Sequence, residues 1–229
     1  MDSFYFIYRE IYFTAKALNL WKNSLVKLSP QILLNAYAQG IFPMADADES
    51  EQIYWYAPDP RAIIPLDGFH ISRSLKRTIK KGVFEIRFDY DFRGTMTSCA
   101  APAKGREETW ISDEIIDLYC YLHEYGFAHS VESYQDGELV GGVYGLALNG
   151  LFAGESMFSR KTDASKVVLA YLLRALEDTG YSLFDVQFLT SHLASFGAVE
   201  ISKRDYLNRL EHALSLKPRK LSTAKAFHS

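Results

Sequence analysis

Residues 127–158 read FAHSVESYQDGELVGGVYGLALNGLFAGESMF, and the patterning of this stretch decides the fold. Three strand-like runs, FAHSVESY, LVGGVYGLAL and LFAGESMF, are separated by Gln135-Asp136-Gly137 and by Asn149-Gly150, residue types that favour tight hairpin turns. An antiparallel meander follows. Gly141, Gly142 and Gly145 lie inside the middle run, where glycine marks a bulge or a close backbone approach. Before the meander, Ser112 to Tyr125 carries Ile115, Leu118, Tyr119 and Leu122 at helical spacing and stops at Gly126. After it, polar SRKTDAS leads into a helix from about Ala164 to Thr179, ended by Gly180, then a short strand LFDVQFL and a helix from about Arg204 to Leu214.

Further upstream, HISRSLKRTIKKG places Arg73, Lys76, Arg77 and Lys80 on one helical face and Ile71, Leu75 and Ile79 along the other. Pro58, Pro60 and Pro65 exclude a helix from IYWYAPDPRAIIPL, which reads as loop and edge strand. Ser29-Pro30 opens a short helix that Gly40 closes. Residues 1–27 read as an extra amphipathic helix or a poorly ordered lead. The order of elements gives an α+β fold with helices on both faces of a mainly antiparallel sheet. A boundary falls near residue 65, which separates 1–65 from 66–229.

Composition narrows the function. At 48% apolar and 23% charged, the 229-residue chain has the balance of an ordinary globular protein, which disfavours global disorder and a membrane-embedded fold. A formal net charge of -3 gives no overall attraction to polyanions, so any nucleic-acid contact needs a local basic patch. Aromatic residues reach 14%, enough for a large core or for stacking on bases. Cys99 and Cys120 form no C-x-x-C pair and read as reduced thiols of a cytoplasmic protein. No stretch has the ~18 apolar residues of a membrane helix, and Asp2, Arg9 and Glu10 interrupt the N-terminus as a signal peptide. Neither H-E-x-x-H nor a phosphate-binding glycine loop occurs, so no metal and no nucleotide cofactor is expected; His123, His129 and His192 read as hydrogen-bonded or rim residues.

Chemistry concentrates in a few places. Asp185 and Gln187, two apart in LFDVQFL, share one face of a regular strand, with Phe184, Val186 and Phe188 on the other. A carboxylate in so apolar a run is either paired in the core or lines a cleft. Glu155 in GESMF binds a cation, a substrate amine for example, or forms an internal salt bridge; the motif is no nucleophile elbow, because Phe158 replaces the second glycine. The basic helix face is a solvated surface or a phosphate site. Trp55 and Trp110 supply stacking faces that, with those cations, suit a single-stranded nucleic-acid end, unless they are core.

The motifs YAQGIFPM, YWYAPDPRAIIP, HISRSLKR, TWIS, YLHEYGFAHSVE, LVGGVYGLALNGLFAGESMFSRKTDASK, FDVQ, HLASFGA and SKRDYL, dense and in order over about residues 28 to 210, resemble the leucyl/phenylalanyl-tRNA–protein transferases. Val186 stands where that family usually has Cys. The resemblance implies a small N-terminal domain packed on a catalytic domain like the acetyltransferases (GNAT-like). It implies an enzyme that acts as a monomer, needs no metal, ATP or other cofactor, and does not engage a membrane. Such an enzyme moves Leu, Phe or sometimes Met from its tRNA to the α-amino group of proteins beginning with Arg or Lys, creating a degradation signal. By the same resemblance Asp185 polarises Gln187, which accepts a hydrogen bond from the attacking amine, and Glu155 holds the cationic acceptor. Trp55 and Trp110 contact the terminal adenosine, and Arg73, Lys76, Arg77 and Lys80 face the acceptor stem. Val143, Phe152, Met157, Leu169, Leu172, Leu176 and Phe184 form the amino-acid pocket, which requires a bulge near Gly154 for Phe152 and Met157 to share a face. The main rival is an acyl-CoA-dependent N-acyltransferase of the same fold. It needs a glycine loop where this chain has SRKTDAS. A tRNA-binding module without catalysis leaves Glu155 and the FDVQ pair unexplained.

Overall fold

The computed structural model describes residues 28–45, 53–102, 109 and 111–221, so the N-terminal lead and Trp110 lie outside the described residues. Helix α1 (Pro30–Ala38) starts where the Ser29 hydroxyl accepts a hydrogen bond from the Ile32 N–H at 3.3 Å, with Pro30 in the first turn. Strands β1 (Phe42–Ala45) and β2 (Ile53–Tyr56) then pair as a small antiparallel sheet. The chain enters a seven-stranded sheet at β3 (Arg61–Ile64), continues through α2 (Arg73–Lys81), β4 (Glu85–Phe88), α3 (Phe92–Ala100) and α4 (Asp113–Glu124), and reaches the meander β5 (Ala128–Gln135), β6 (Glu138–Leu148) and β7 (Leu151–Ser159). It ends with α5 (Ala164–Thr179), β8 (Leu183–Gln187), α6 (Ser191–Ala194), β9 (Val199–Ile201) and α7 (Lys203–Ser215).

The sheet order is β4-β5-β6-β7-β8-β3-β9, and every neighbouring pair is antiparallel except β7–β8, which α5 connects in parallel. Alternation along the strands divides the core in two. On one face Ile63, Tyr144, Leu146, Ala153 and Leu183 pack with α1, α3, α4 and α7; on the other, Ala62, Ile64, Val143, Phe152 and Phe184 pack with α2 and α5. The mixed α+β architecture with helices on both faces is therefore the one the sequence dictates.

Two readings are corrected. IYWYAPDPRAIIPL was expected as loop and edge strand, yet Arg61–Ile64 is an interior strand, buried throughout and bonded to β8 on one side and β9 on the other. Its prolines, Pro60 and Pro65, flank RAII rather than interrupt it, so every ladder N–H is intact. The periodicity also misses β4 and α3, since β4 is only four residues long and in α3, FRGTMTSCA, a glycine, two threonines and a serine of weak helical preference dilute the apolar Phe92 and Met96. Asp91 starts α3 by accepting the Gly94 N–H at 2.9 Å.

The glycines of β6 are there for close approach. A Cβ on Gly141 meets the Ala164 Cβ at 2.8 Å, and one on Gly145 runs into the Ala153 carbonyl oxygen and the Phe152 ring. We expect Gly145→Ala to lower Tm by several degrees, since overpacking of a close-packed core costs ~1–3 kcal/mol and a domain of this size loses ~2–4 °C per kcal/mol. Gly68→Ala, with nothing within 4 Å, is the matched control in thermal melts and should leave Tm unchanged.

Candidate active site

The parallel pairing of β7 with β8 extends over Leu151↔Leu183, Phe152↔Phe184 and Ala153↔Asp185 and then stops. Beyond it the strands part, because β7 runs on to Ser159 with β6 while β8 stays with β3. Both strands are irregular at that point. In β6–β7, Gly145 pairs Gly154 but Tyr144 pairs Ser156, so Glu155 is the extra residue of a bulge. In β3–β8, Ile63 pairs Asp185 but Ala62 pairs Gln187, so Val186 is the extra residue. The bulge required near Gly154 exists, and it re-aims the chain so that Phe152 and Met157 pack into one cluster. The second bulge breaks the alternation that places Asp185 and Gln187 on one face.

Asp185 is wholly buried and fully satisfied. Its Oδ1 accepts from Arg61 Nε at 2.9 Å and from the Gln187 backbone N–H at 3.0 Å; its Oδ2 accepts from Arg61 Nη2 at 2.6 Å and from the Tyr206 hydroxyl at 2.8 Å. Arg61 is equally buried, gives Nη1 to the Gly40 carbonyl at 3.2 Å, and lies over the Phe42 and Tyr206 rings at 4.5 and 4.6 Å. Of the two readings open for Asp185, the geometry is pairing in the core. Burial, then the nearby Asp185 charge, holds the Tyr206 phenol well above the ordinary range. Gln187 takes the left-handed conformation at φ 61°, a strained position for a residue with a side chain, and its Nε2 is buried with no hydrogen-bond partner. A buried unsatisfied amide N–H costs ~1–3 kcal/mol, and such groups gather where a ligand completes them.

Glu155 accepts a 2.6 Å hydrogen bond from the Tyr37 hydroxyl, which also lies 3.3 Å from the Tyr119 hydroxyl. Burial pushes the Glu155 carboxyl up to about 7; the Tyr37 bond works against this, and the Asp185 charge adds to it. Near neutral pH the group therefore gives and takes a proton with little driving force either way. Tyr37 and Tyr119 are held far above ordinary phenols by burial first and the Glu155 charge second, so both remain donors.

Val143, Phe152, Leu169, Leu172, Leu176 and Phe184, with partly buried Met157, all fall in the α5-side cluster, where the Phe152 and Phe184 rings meet edge-on at 5.8 Å. Leu183 and Tyr206, the neighbours of Asp185, belong to the other cluster, as does half-buried Trp55 on β2. The apolar set and the polar set therefore occupy opposite faces of the sheet, on either side of the point where β7 and β8 part. Arg73, Lys76, Arg77 and Lys80 are exposed on α2, which is anchored by buried Leu75 and by Thr78 reaching Asp163 at 3.4 Å. Sequence reasoning missed Arg61, Tyr37, Tyr119 and Tyr206. Strand alternation with Ile63 offers a signal for Arg61, and helical spacing with Leu33 and Leu34 one for Tyr37. No spacing predicts a metal set, yet the fold gathers Asp89, His123 and His129.

Sequence models of the family described as leucyl/phenylalanyl-tRNA protein transferase match residues 63–211, and its N-terminal domain matches residues 27–59. The leucyl/phenylalanyl-tRNA–protein transferase of Herpetosiphon aurantiacus is 59% identical over 189 residues, spanning 82% of this chain and 95% of that protein. That of Maricaulis maris is 50% identical over 203 residues, 86% of this chain and 94% of its own. A solved structure, the C-terminal DUF2156 domain of an Agrobacterium fabrum protein, aligns with TM-score 0.43 and 11% identity over 81% of this chain and 57% of its own, too distant to inform fold or function. With both family domains matched in order and such relatives covered nearly end to end, the chain belongs to the leucyl/phenylalanyl-tRNA–protein transferase family.

Proposed function

We propose that the chain moves leucine, phenylalanine or methionine from its tRNA to the α-amino group of proteins beginning with Arg or Lys, and so creates a degradation signal. It does this as a cytoplasmic monomer. The observations that carry this reading are the unpartnered Gln187 amide at the end of β8, just past where β7 and β8 part, and the polar cluster of Glu155, Tyr37 and Tyr119 built on the β7 bulge. The acceptor amine attacks the aminoacyl ester carbonyl, an amide bond forms, the ester C–O bond breaks, and the proton lost by nitrogen ends on the ribose oxygen. An α-amino group of pKa ~7.7–8.0 is partly neutral near pH 7, and Glu155 takes its proton and holds the cationic acceptor. Gln187 orients the pair, its Oε1 accepting from the amine and its Nε2–H donating to the ester carbonyl oxygen; near-attack alignment of this kind is worth ~7–11 kcal/mol. Asp185 acts as a positioning residue, since its reach to Gln187 is through the backbone N–H.

The donor side chain enters between the strands into the α5-side cluster of Val143, Phe152, Met157, Leu169, Leu172, Leu176 and Phe184. The terminal adenosine stacks on Trp55 and Trp110, and Arg73, Lys76, Arg77 and Lys80 meet the acceptor-stem phosphates. The likeness to acetyltransferases is part of this reading, supported by one parallel pair that opens beyond three residue pairs. The acyl-CoA alternative has less support. A pyrophosphate cradle needs free N–H groups and positive potential at the start of α5, where Asp163 instead sits at φ 66°, its carboxylate bonded to Lys166 at 3.0 Å.

The roles separate by what each substitution changes. Asp185→Asn strands buried Arg61, and breaking such a pair costs ~3–5 kcal/mol, a Tm loss on the order of 10 °C. Gln187→Ala removes no protein hydrogen bond from the side-chain amide and should keep Tm while turnover falls about 100-fold, the usual loss for one transition-state donor. Wild-type turnover in Gln187→Ala sinks the assignment. Lys76→Ala with Arg77→Ala should weaken aminoacyl-tRNA binding and flatten its salt dependence while a stemless puromycin-like donor reacts unchanged; equal losses for both donors overturn the phosphate role.

Glu155 sets the pH behaviour. Its folded pKa lies above the ordinary 4.5, so the protonated form is favoured by folding and its contribution to stability is lost as pH rises from 4.5 through about 7. Buried Glu132, pushed up to about 7 by burial, acts in the same window, so the informative quantity is the Tm difference between wild type and Glu155→Gln. That difference should shift in favour of the variant between pH 5 and pH 8. The wild-type rate should rise through about 7, whereas Glu155→Gln retains only the rise of the acceptor amine near ~8.

A further inference from the structure

We propose that Asp89, His123 and His129 form a binding site for a divalent transition-metal ion of the Zn2+ class where β4, β5 and α4 meet. The site is separate from the residues around Glu155 and does not rest on the proposed function. Asp89 follows the last residue of β4, His129 is the second residue of β5, and His123 lies in the last turn of α4. One ligand atom from each of the three lies within 4.8 Å of the others. His129 Nδ1 is 2.7 Å from Asp89 Oδ2, and His123 Nδ1 is 3.9 Å from Asp89 Oδ1.

Two imidazoles and a carboxylate are the donor set that holds zinc and its neighbours through three protein ligands with open positions for solvent. Asp89 and His123 are each oriented by a partner outside the set, as ligating groups are. Asp89 is pinned to Ser130 by paired backbone contacts, its N–H donating to the Ser130 carbonyl at 3.0 Å and its Oδ1 accepting the Ser130 N–H at 2.9 Å. It takes the left-handed conformation at φ 55°. The His123 ring lies flat on Phe92 at 4.4 Å and 4°, and its Nδ1–H donates to the Ala128 carbonyl oxygen at 2.8 Å, which leaves Nε2 as its ligand atom. The His129 ring stands perpendicular to it at 88°. The three side chains keep 18% to 26% of their surface, so an ion reaches them from solvent.

Charge favours the same occupant. The Asp89 carboxylate has the Asp91 carboxylate two residues along the chain; buried Glu132, which accepts from the Asp91 N–H at 3.4 Å and from Ser130 Oγ at 2.5 Å, adds negative charge only in its ionised form, which burial disfavours. With metal–ligand bonds of ~2.0–2.2 Å, donor atoms stand ~3.3 Å apart, so binding requires side-chain rotations of about 1 Å. The 2.7 Å contact between His129 and Asp89 gives way to the ion. The bound ion clamps α4 to β4 and β5, whose connection runs through α3.

The test uses the full chain, stripped with a chelator and titrated with ZnCl2 by calorimetry and with CoCl2 by visible absorption. One equivalent should bind at micromolar Kd or tighter, Tm should rise, and Co2+ should show the d–d bands of a four- or five-coordinate nitrogen and oxygen site. His129→Gln, His123→Gln and Asp89→Asn should each weaken binding by about 100-fold or more, while exposed His70→Gln leaves it intact. Melts of the metal-free variants establish that each is folded, and any one folded ligand variant suffices. Absence of stoichiometric binding at millimolar ion, or equal affinity in a folded ligand variant and in wild type, overturns the site.

Discussion

The buried ion pair of Arg61 and Asp185 is the constraint around which the rest of the molecule is arranged. Removing two charges from water costs several kcal/mol each, and only complete satisfaction repays it. Four donors on Asp185, a carbonyl at Gly40 and two aromatic rings around Arg61 supply that satisfaction. Those partners come from β3, β8, α7, the turn after α1, and β1. One interaction therefore ties the N-terminal pair of strands, the large sheet and the C-terminal helix together, and through the Gln187 N–H it holds the strained end of β8.

Around this anchor, the sheet is complete except where it needs to open. The β7–β8 pairing ends at Ala153↔Asp185, and both strands bulge within two residues of that point. Gly154 marks the edge of the opening, since a Cβ there meets the Phe184 ring at 3.0 Å. A polar site on one face and an apolar cluster on the other are otherwise insulated by a continuous sheet. In the proposed function, a substrate with an apolar side chain and a reactive ester reaches both where the strands part. Aminoacyl transfer from an activated ester asks for alignment and a proton acceptor poised near neutrality more than for strong base catalysis, terms that the proposed roles of Gln187 and Glu155 meet.

A row of rings lies behind Glu155. Tyr37 meets Tyr119, Tyr119 stands edge-on to Tyr144 at 5.5 Å, and Tyr144 stands edge-on to Phe92 at 6.1 Å, with His123 flat on its far side. Part of the high aromatic content, open in the sequence between core and base stacking, goes into this layer. Large rigid rings fill it at low entropic cost and keep the dielectric around Glu155 low, which is the cause of its raised pKa.

The sequence by itself determined the periodic part of this protein. The meander of β5 to β7 with its Asp136-Gly137 and Asn149-Gly150 turns, the basic exposed face of α2, the long α5 ended by Gly180, and the presence of Glu155, Asp185 and Gln187 as polar residues in apolar runs were all legible, because local patterning and turn chemistry are short-range. Tertiary structure alone decided what these residues do. That Asp185 is neutralised by Arg61, 124 positions away, depends on which strands become neighbours, and no local pattern records it. The bulges at Glu155 and Val186 arise from register against β6 and β3, so alternation read along one strand assigned Gln187 its face without the means to know. Asp89, His123 and His129 converge for the same reason: donor sets are made by topology, and spacing along the chain predicts them only when one element carries them all.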